Sequence, residues 1–308
     1  MLENLQLFFG DASHALARIY ARLPRAGLPA NCVLTGRVSG PTCEYARTLP
    51  ATVSFVKPRR VSAAEAETLV VDSGHSSPHA PREESEAETL VVEAILPDPC
   101  FWSQETPFVY RAELELKSDG QSVASAERLF GIRPLGARGR NLVWEGRRWV
   151  ARAADCLELP ERLLAAWRAA DLALLVSNPG DALCAEATRL GAVLIADLTA
   201  DEEELPRALR RLARWPAVTM ALVASGATLA ADIRSGARNL LLAEHRDAAS
   251  ATPPGSQADL VICEAASTAE LVRLAGDLTI PALAWRAAGW CDDLAAARRQ
   301  CDVLQRDL

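Results

Sequence analysis

VYRAELELKSDGQSVASAERLFGIR, residues 109–133, decides how the first half of the chain folds. Val109, Arg111, Glu113 and Glu115 alternate with Tyr110, Ala112, Leu114 and Leu116. A period of two, with a polar and an apolar face, predicts an antiparallel strand wetted on one side. The Asp-Gly within 118–121 marks a tight hairpin that returns the chain as the next strand. Upstream, HALARIYARL (14–23), NCVLTGRVSG (31–40), TLPATVSFV (48–56) and TLVVEAILP (89–97) are further short apolar runs separated by turn residues. Repeated short strands of this kind predict a β-sandwich over residues 1–135.

Between the third and fourth of those runs, EAETLVV occurs twice, at 65–71 and 86–92, around a stretch rich in Ser, His, Pro and Glu. Two copies are too few for a repeat array, so the segment reads as a local duplication. A mobile surface insertion is expected over about 57–86, with one copy kept as a strand. His75 and His79 fall inside it and are expected to be solvated loop residues.

Downstream, GIRPLGARGRNLVWEGRR (131–148) concentrates Gly, Pro and Arg, and residues 136–147 read as a linker or hairpin. From 148 to 308 the pattern alternates. Strand-like runs at 148–154, 172–177, 192–198, 217–223, 239–243, 259–264 and 280–285 are separated by helical stretches. In one of these, Leu205, Leu209, Leu212 and Trp215 recur every three or four residues, with Arg207, Arg210, Arg211 and Arg214 opposite them. That is an amphipathic helix laid over a sheet. Continuous apolar strands alternating with helices imply an α/β unit whose parallel sheet is covered on both faces. The sheet reads as either an open α/β layer or a closed βα barrel, and its seven strands, where a barrel normally has eight, leave both open.

With 308 residues, 50% hydrophobic and a net charge of -7, the chain has ample apolar mass for two packed units. It lacks the broad positive field that nucleic-acid binding requires. No apolar run reaches the roughly 18 residues of a membrane span. The start, with Glu3 ahead of its apolar stretch, has no basic leader, so a cytoplasmic protein is expected. The eight cysteines form no CxxC pair and the four histidines are scattered, so neither a metal site nor a cofactor is expected. GxGxxG, Walker, HExxH and GxSxG patterns are all missing.

LPDPCFWSQETPFVYRAELEL (96–116) followed by FGIR (130–133) resembles the end of the immunoglobulin-like sandwich of glycoside hydrolase family two, the β-galactosidase and β-glucuronidase group. Trp102, Ser103, Glu105, Pro107 and Tyr110 match the family's LWSPExPxLY-like pattern, and FGIR matches its Phe-Gly-hydrophobic-Arg close. WEGRRWVARAA resembles the family's hairpin into the first barrel strand, with Glu145 and Arg147 in place of asparagine and lysine. EATRLGAVLIADL and LARWPAVTMALVASG resemble its third and fourth barrel strands. The resemblance implies an immunoglobulin-like β-sandwich followed by an α/β TIM-barrel-like domain, in a family that acts on O-glycosyl bonds; with about 160 residues where a full (β/α)8 barrel takes about 250, that domain is expected to be a reduced TIM-barrel-like one.

The departures carry as much weight. Retaining glycosidases use two carboxyl groups roughly 5 Å apart. In the family the fourth strand ends in Gly-Asn-Glu, whose Glu is the acid/base; here Ala224, Ser225 and Gly226 stand there, so Gly226 replaces the expected glutamate. Barrel sites gather at the C-terminal ends of strands. There the sequence offers Asp197, Glu244, His245, Glu264, Arg286, Trp290 and Asp292, together with Trp285 on the last strand. Glu244 and Glu264 are the candidates for a catalytic pair. Asp197, Trp285 and Trp290 are the candidates for substrate binding.

The leading expectation is a non-catalytic family-two-like protein that binds carbohydrate or a protein partner. An active β-glycosidase using Glu244 and Glu264 is the alternative. A protein-assembly module presenting its sandwich and outer helices as interfaces is the third reading. The sequence does not set an oligomeric state.

Overall fold

The computed structural model describes residues 2–62, 88–155, 163–200, 205–227, 234, 236–247, 253–264, 268–276, 278–285 and 293–306. The chain forms two compact units, Met1–Ile132 and Arg133–Leu308.

The first unit contains β1 (Gln6–Ala12), β2 (Leu16–Pro24), β3 (Cys32–Thr42), β4 (Ala51–Ser54), β5 (Val56–Ser62), β6 (Glu88–Pro97), β7 (Val109–Ser118) and β8 (Gln121–Phe130). They make two four-stranded sheets, β1-β2-β6-β5 and β4-β3-β7-β8, with every neighbouring pair antiparallel. Ile19, Leu23, Val92 and Leu96 from one sheet share a buried core with Leu34, Val38, Leu114 and Leu116 from the other. This is a β-sandwich, as the alternation predicts. The hairpin falls where Asp-Gly places it: Asp119 and Gly120 take φ of +51° and +80°, the left-handed pair that joins β7 to β8. Two details differ from the sequence reading. Gln6–Ala12 is a strand, although its apolar residues do not alternate cleanly. The insertion read from residue 57 begins later, because Val56–Ser62 pairs with β6. The rest of it, with His75, His79 and the first EAETLVV copy, lies outside the described residues.

The family-like motif residues hold a loop in place. Trp102 is wholly buried, and its backbone N–H donates to the Ile132 carbonyl at 2.8 Å. The Cys100 N–H donates to the Tyr110 hydroxyl at 2.8 Å, and burial pushes that phenol up to about 12. The Thr106 N–H donates to Ser103 Oγ at 3.1 Å. Each bond satisfies a backbone or hydroxyl group that the fold has taken from water.

The second unit opens with a three-stranded sheet of β9 (Leu135–Arg138), β10 (Asn141–Trp144) and β11 (Arg147–Trp149). Glu145 and Gly146, at φ of +50° and +77°, form the tight turn of the β10–β11 hairpin. The run at 148–154 therefore does not make one strand. Its first residues belong to β11, and the parallel sheet begins at β12 (Ala153–Asp155). There follow α1 (Leu164–Ala169), β13 (Ala173–Ser177), α2 (Asp181–Leu190), β14 (Leu194–Asp197), α3 (Leu205–Leu212), β15 (Val218–Val223), β16 (Leu241–Arg246), β17 (Leu260–Glu264), α4 (Thr268–Ala275), β18 (Ala282–Trp285) and α5 (Leu294–Arg306). Strands β12 to β18 form one seven-stranded parallel sheet in strict chain order. A doubly wound sheet reverses its order at a switch point, whereas this sheet never does. Winding in one sense, with right-handed crossovers, lays the helices on one face and curls the other inward. α5 packs against both β18 and β12, the first and last strands of the order.

Arg133, the last residue of the FGIR motif, is fixed inside this unit. Its guanidinium is buried and donates to the carbonyls of Pro216, Val218 (2.9 Å) and Asn239 (2.6 Å), at the starts of β15 and β16. Burial pushes its pKa down to about 9, so the group is still charged at neutral pH. Among the described residues no helix is long and apolar enough to cross a membrane.

Candidate functional site at the strand ends

In a parallel sheet, residues paired across neighbouring strands share a face, and successive residues alternate between faces. Val261 and Cys263 of β17 pack with Ala282, Ala284, Leu278 and Ile280, so they lie on one face, and Ile262 and Glu264 lie on the other. The pairing then carries the second face across the sheet. Glu264 pairs with Trp285, His245 with Ile262, Ala243 with Leu222, Leu222 with Asp197, Asp197 with Ser177, and Leu175 with Asp155. One face thus presents Asp155, Ser177, Asp197, His245, Glu264 and Trp285 at the C-terminal ends of six strands.

Side-chain contacts agree with this trace. His245 Nε2 lies 3.0 Å from Glu264 Oε2. The His245 and Trp285 rings meet edge to face with centroids 5.3 Å apart. Asp197 Oδ1 accepts from the Thr199 N–H at 3.0 Å and from the Thr199 hydroxyl at 2.7 Å, which tightens the turn after β14. Asp155 binds its proton more tightly than an ordinary aspartate, first because it is partly buried and then because Asp197 and Glu264 repel its charge. Strand β12 stands first and β17 sixth in the order, so the Asp155–Glu264 repulsion reflects the curl.

The structure does not bring Glu244 and Glu264 together. Glu244 pairs with Val261, which sets it on the opposite face of the sheet from Glu264. It is buried there, accepting from the Gly255 N–H at 2.7 Å, with the Ser225 hydroxyl 3.5 Å away and Arg246 beside it. It fastens the turn after β15 to the loop before β17. Gly226 sits in that turn at φ +73°, just beyond the end of the fourth strand of the sheet. Asp197, Glu264 and Trp285 do stand on one face, whereas Trp290, Arg286 and Asp292 lie outside the described residues.

Asp155 escapes the sequence reading because the first strand-like run is drawn to end at 154, one residue short of it. The usable signal was the polar residue closing an apolar stretch. Among the described residues no group of three or more His, Cys, Asp or Glu side chains converges closely enough to hold a metal ion.

Asp155→Asn is expected to raise the stability of the second unit at neutral pH. The raised pKa means that ionising Asp155 disfavours the native state. The gain should vanish as the pH falls and the wild-type carboxyl takes up its proton. Urea unfolding of both proteins at pH 7 and pH 4 checks this, and equal midpoints at both pH values count against the repulsion.

Residues 54–133 match the family model of glycosyl hydrolases family 2. The resemblance carried by Trp102 to Arg133 lies inside that match. Solved structures of family 2 proteins have a similar fold. A family 2 member from Bacteroides cellulosilyticus aligns over 96% of this chain and 41% of its own, at 12% identity and a TM-score of 0.59. A β-glucuronidase from Bacteroides uniformis aligns over 91% of this chain and 39% of its own, at 12% identity and a TM-score of 0.57. A Bifidobacterium dentium β-glucuronidase complexed with coumarin-3-O-glucuronide aligns over 98% of this chain and 57% of its own, at 12% identity and a TM-score of 0.58. The chain spans about two fifths of the length of the first two structures and under three fifths of the third. At such identities the likeness to the family 2 structures is one of fold. No curated protein sequence matches the chain significantly.

Proposed function

We propose that this protein is a family-2-like chain, an immunoglobulin-like sandwich joined to a reduced βα barrel, that binds carbohydrate without hydrolysing it. The observation that carries this is the disposition of carboxylates. Gly226 stands where the family's acid/base glutamate is expected, and Glu244 is turned to the face opposite Glu264. What is left at the strand ends suits binding. Trp285 offers an aromatic ring to a sugar face, and Asp155, Asp197 and Glu264 can accept hydrogen bonds from hydroxyls.

The test has two arms. 4-Nitrophenyl β-galactoside and β-glucuronide should be turned over no faster than in buffer, while titration with the parent sugars should give weak binding that Trp285→Ala lowers about tenfold. Turnover that disappears in Glu264→Gln would establish the alternative, an active β-glycosidase. Absence of both binding and turnover would remove the carbohydrate reading and leave a protein-assembly module.

A further inference from the structure

Glu264 and Trp285 are direct partners across β17 and β18, so their side chains rise next to each other on one face. A single imidazole touches both. His245 comes from β16, two strands away from Trp285, and pairs with Ile262, which precedes Glu264 by two residues on the same face. From there its ring reaches across β17. His245 Nε2 lies 3.0 Å from Glu264 Oε2, and the His245 and Trp285 rings meet at 70° with centroids 5.3 Å apart. The imidazole is the more buried partner, its side chain 21% exposed against 36% for the carboxylate. Among the described residues, Glu264 Oε1 and the Trp285 Nε1–H make no hydrogen bond, so one side of each group is engaged and the other is available.

We propose that His245 is the positioning residue of this site. By donating from Nε2 it fixes Glu264 so that Oε1 is presented as the acceptor for a sugar hydroxyl, and its ring edge sets the Trp285 indole as the surface on which the same sugar ring stacks. This role presupposes the carbohydrate reading and adds to it that one pyranose meets both groups, because neighbouring strands stand only about 4.8 Å apart. The ligand so described is a hexopyranose that lays an apolar face of ring C–H groups on the indole and donates a rim hydroxyl to the carboxylate. A glutamate loose in water samples many rotamers, and holding one of them beforehand removes that ordering cost from binding. The contact needs no charge on the imidazole, since the neutral ring with its proton on Nε2 is already a donor.

The two contacts can be removed one at a time. His245→Phe keeps an aromatic edge against Trp285 and loses the donor, whereas His245→Gln keeps a donor for Glu264 and loses the ring. In calorimetric titration with methyl β-galactoside and methyl β-glucuronide, His245→Phe should bind about fivefold more weakly than wild type, and His245→Gln should regain part of that loss. In a Glu264→Ala background His245→Phe should cost nothing further, because the group it positions is gone. If the phenylalanine variant fails to fold, His245→Ala takes its place in the same cycle. The Trp285 side-chain N–H resonance, assigned by its disappearance in Trp285→Phe, gives a reading without ligand: it should shift in His245→Gln and hold its place in His245→Phe. Sugar binding that is unchanged in His245→Phe, or weakened as much when Glu264 is alanine, overturns the positioning role while the carbohydrate reading stands. A wild-type protein that binds neither sugar overturns the carbohydrate reading and the sugar-directed role with it, and the resonance then reports only whether His245 orders the indole.

Discussion

Arg133→Met is expected to destabilise the second unit by about 3 kcal/mol, read as a lowered midpoint in chemical denaturation. The buried guanidinium serves three backbone carbonyls, those of Pro216, Val218 and Asn239, and a methionine leaves all three without a donor. Each unsatisfied buried acceptor costs about 1–3 kcal/mol. The total is smaller than their sum because removing the cation also removes the work of stripping it of water, the same work that depresses its pKa to about 9. Arg133→Lys separates geometry from charge. A single ammonium cannot reproduce the planar fork that spans two strands, so lysine should recover less than half of the loss. Full recovery by lysine would mean that charge alone matters at this position.

Gly36→Ala should have a larger effect on the first unit. Gly36 pairs with Leu114 across the β3–β7 ladder, and a Cβ there would stand 2.2 Å from the Glu113 carbonyl oxygen and 3.0 Å from the Leu114 Cα. Both obstacles are backbone, so no rotamer change relieves them, and the two central strands of their sheet would have to separate. Loss of soluble, cooperatively folding protein is the expected outcome. Gly120→Ala is the control. Its Cβ would meet nothing within 4 Å, and the φ of +80° alone costs about 1–2 kcal/mol. If the two variants melt together, the close approach of β3 to β7 is not what excludes a side chain at residue 36.

These cases show where the sequence is legible and where it stops. The β7–β8 hairpin is local: its alternation and its Asp-Gly turn lie within 22 consecutive residues, so short-range rules suffice. The parallel strands are legible as runs but not as faces, because burial on both sides erases alternation. β15 is buried at all six positions. Glu244 and Glu264 therefore look equivalent in the sequence, each near the end of an apolar run. Only the pairing of Glu244 with Val261 separates them. Arg133 sits in a recognisable motif, yet its acceptors follow 83 to 106 residues later, beyond any local pattern.

The strict chain order of the seven-stranded sheet also has a consequence for how the unit assembles. Each strand finds its partner in the next one along the chain, so every pairing closes a short loop at little entropic cost, and the sheet can grow from its first strand to its last by accretion. Two fastenings are of longer reach. Arg133 must wait for β16, and α5 must wait for the whole sheet before Arg298 meets the Ala170 carbonyl, Arg152 meets Asp302 and the Cys301 thiol meets the Ala153 carbonyl. The last of the described helices is thus the one that clamps the first strand of the sheet. A nascent chain carries an uncovered first strand until α5 arrives, and a pull applied at α5 would undo that clamp before the strands part.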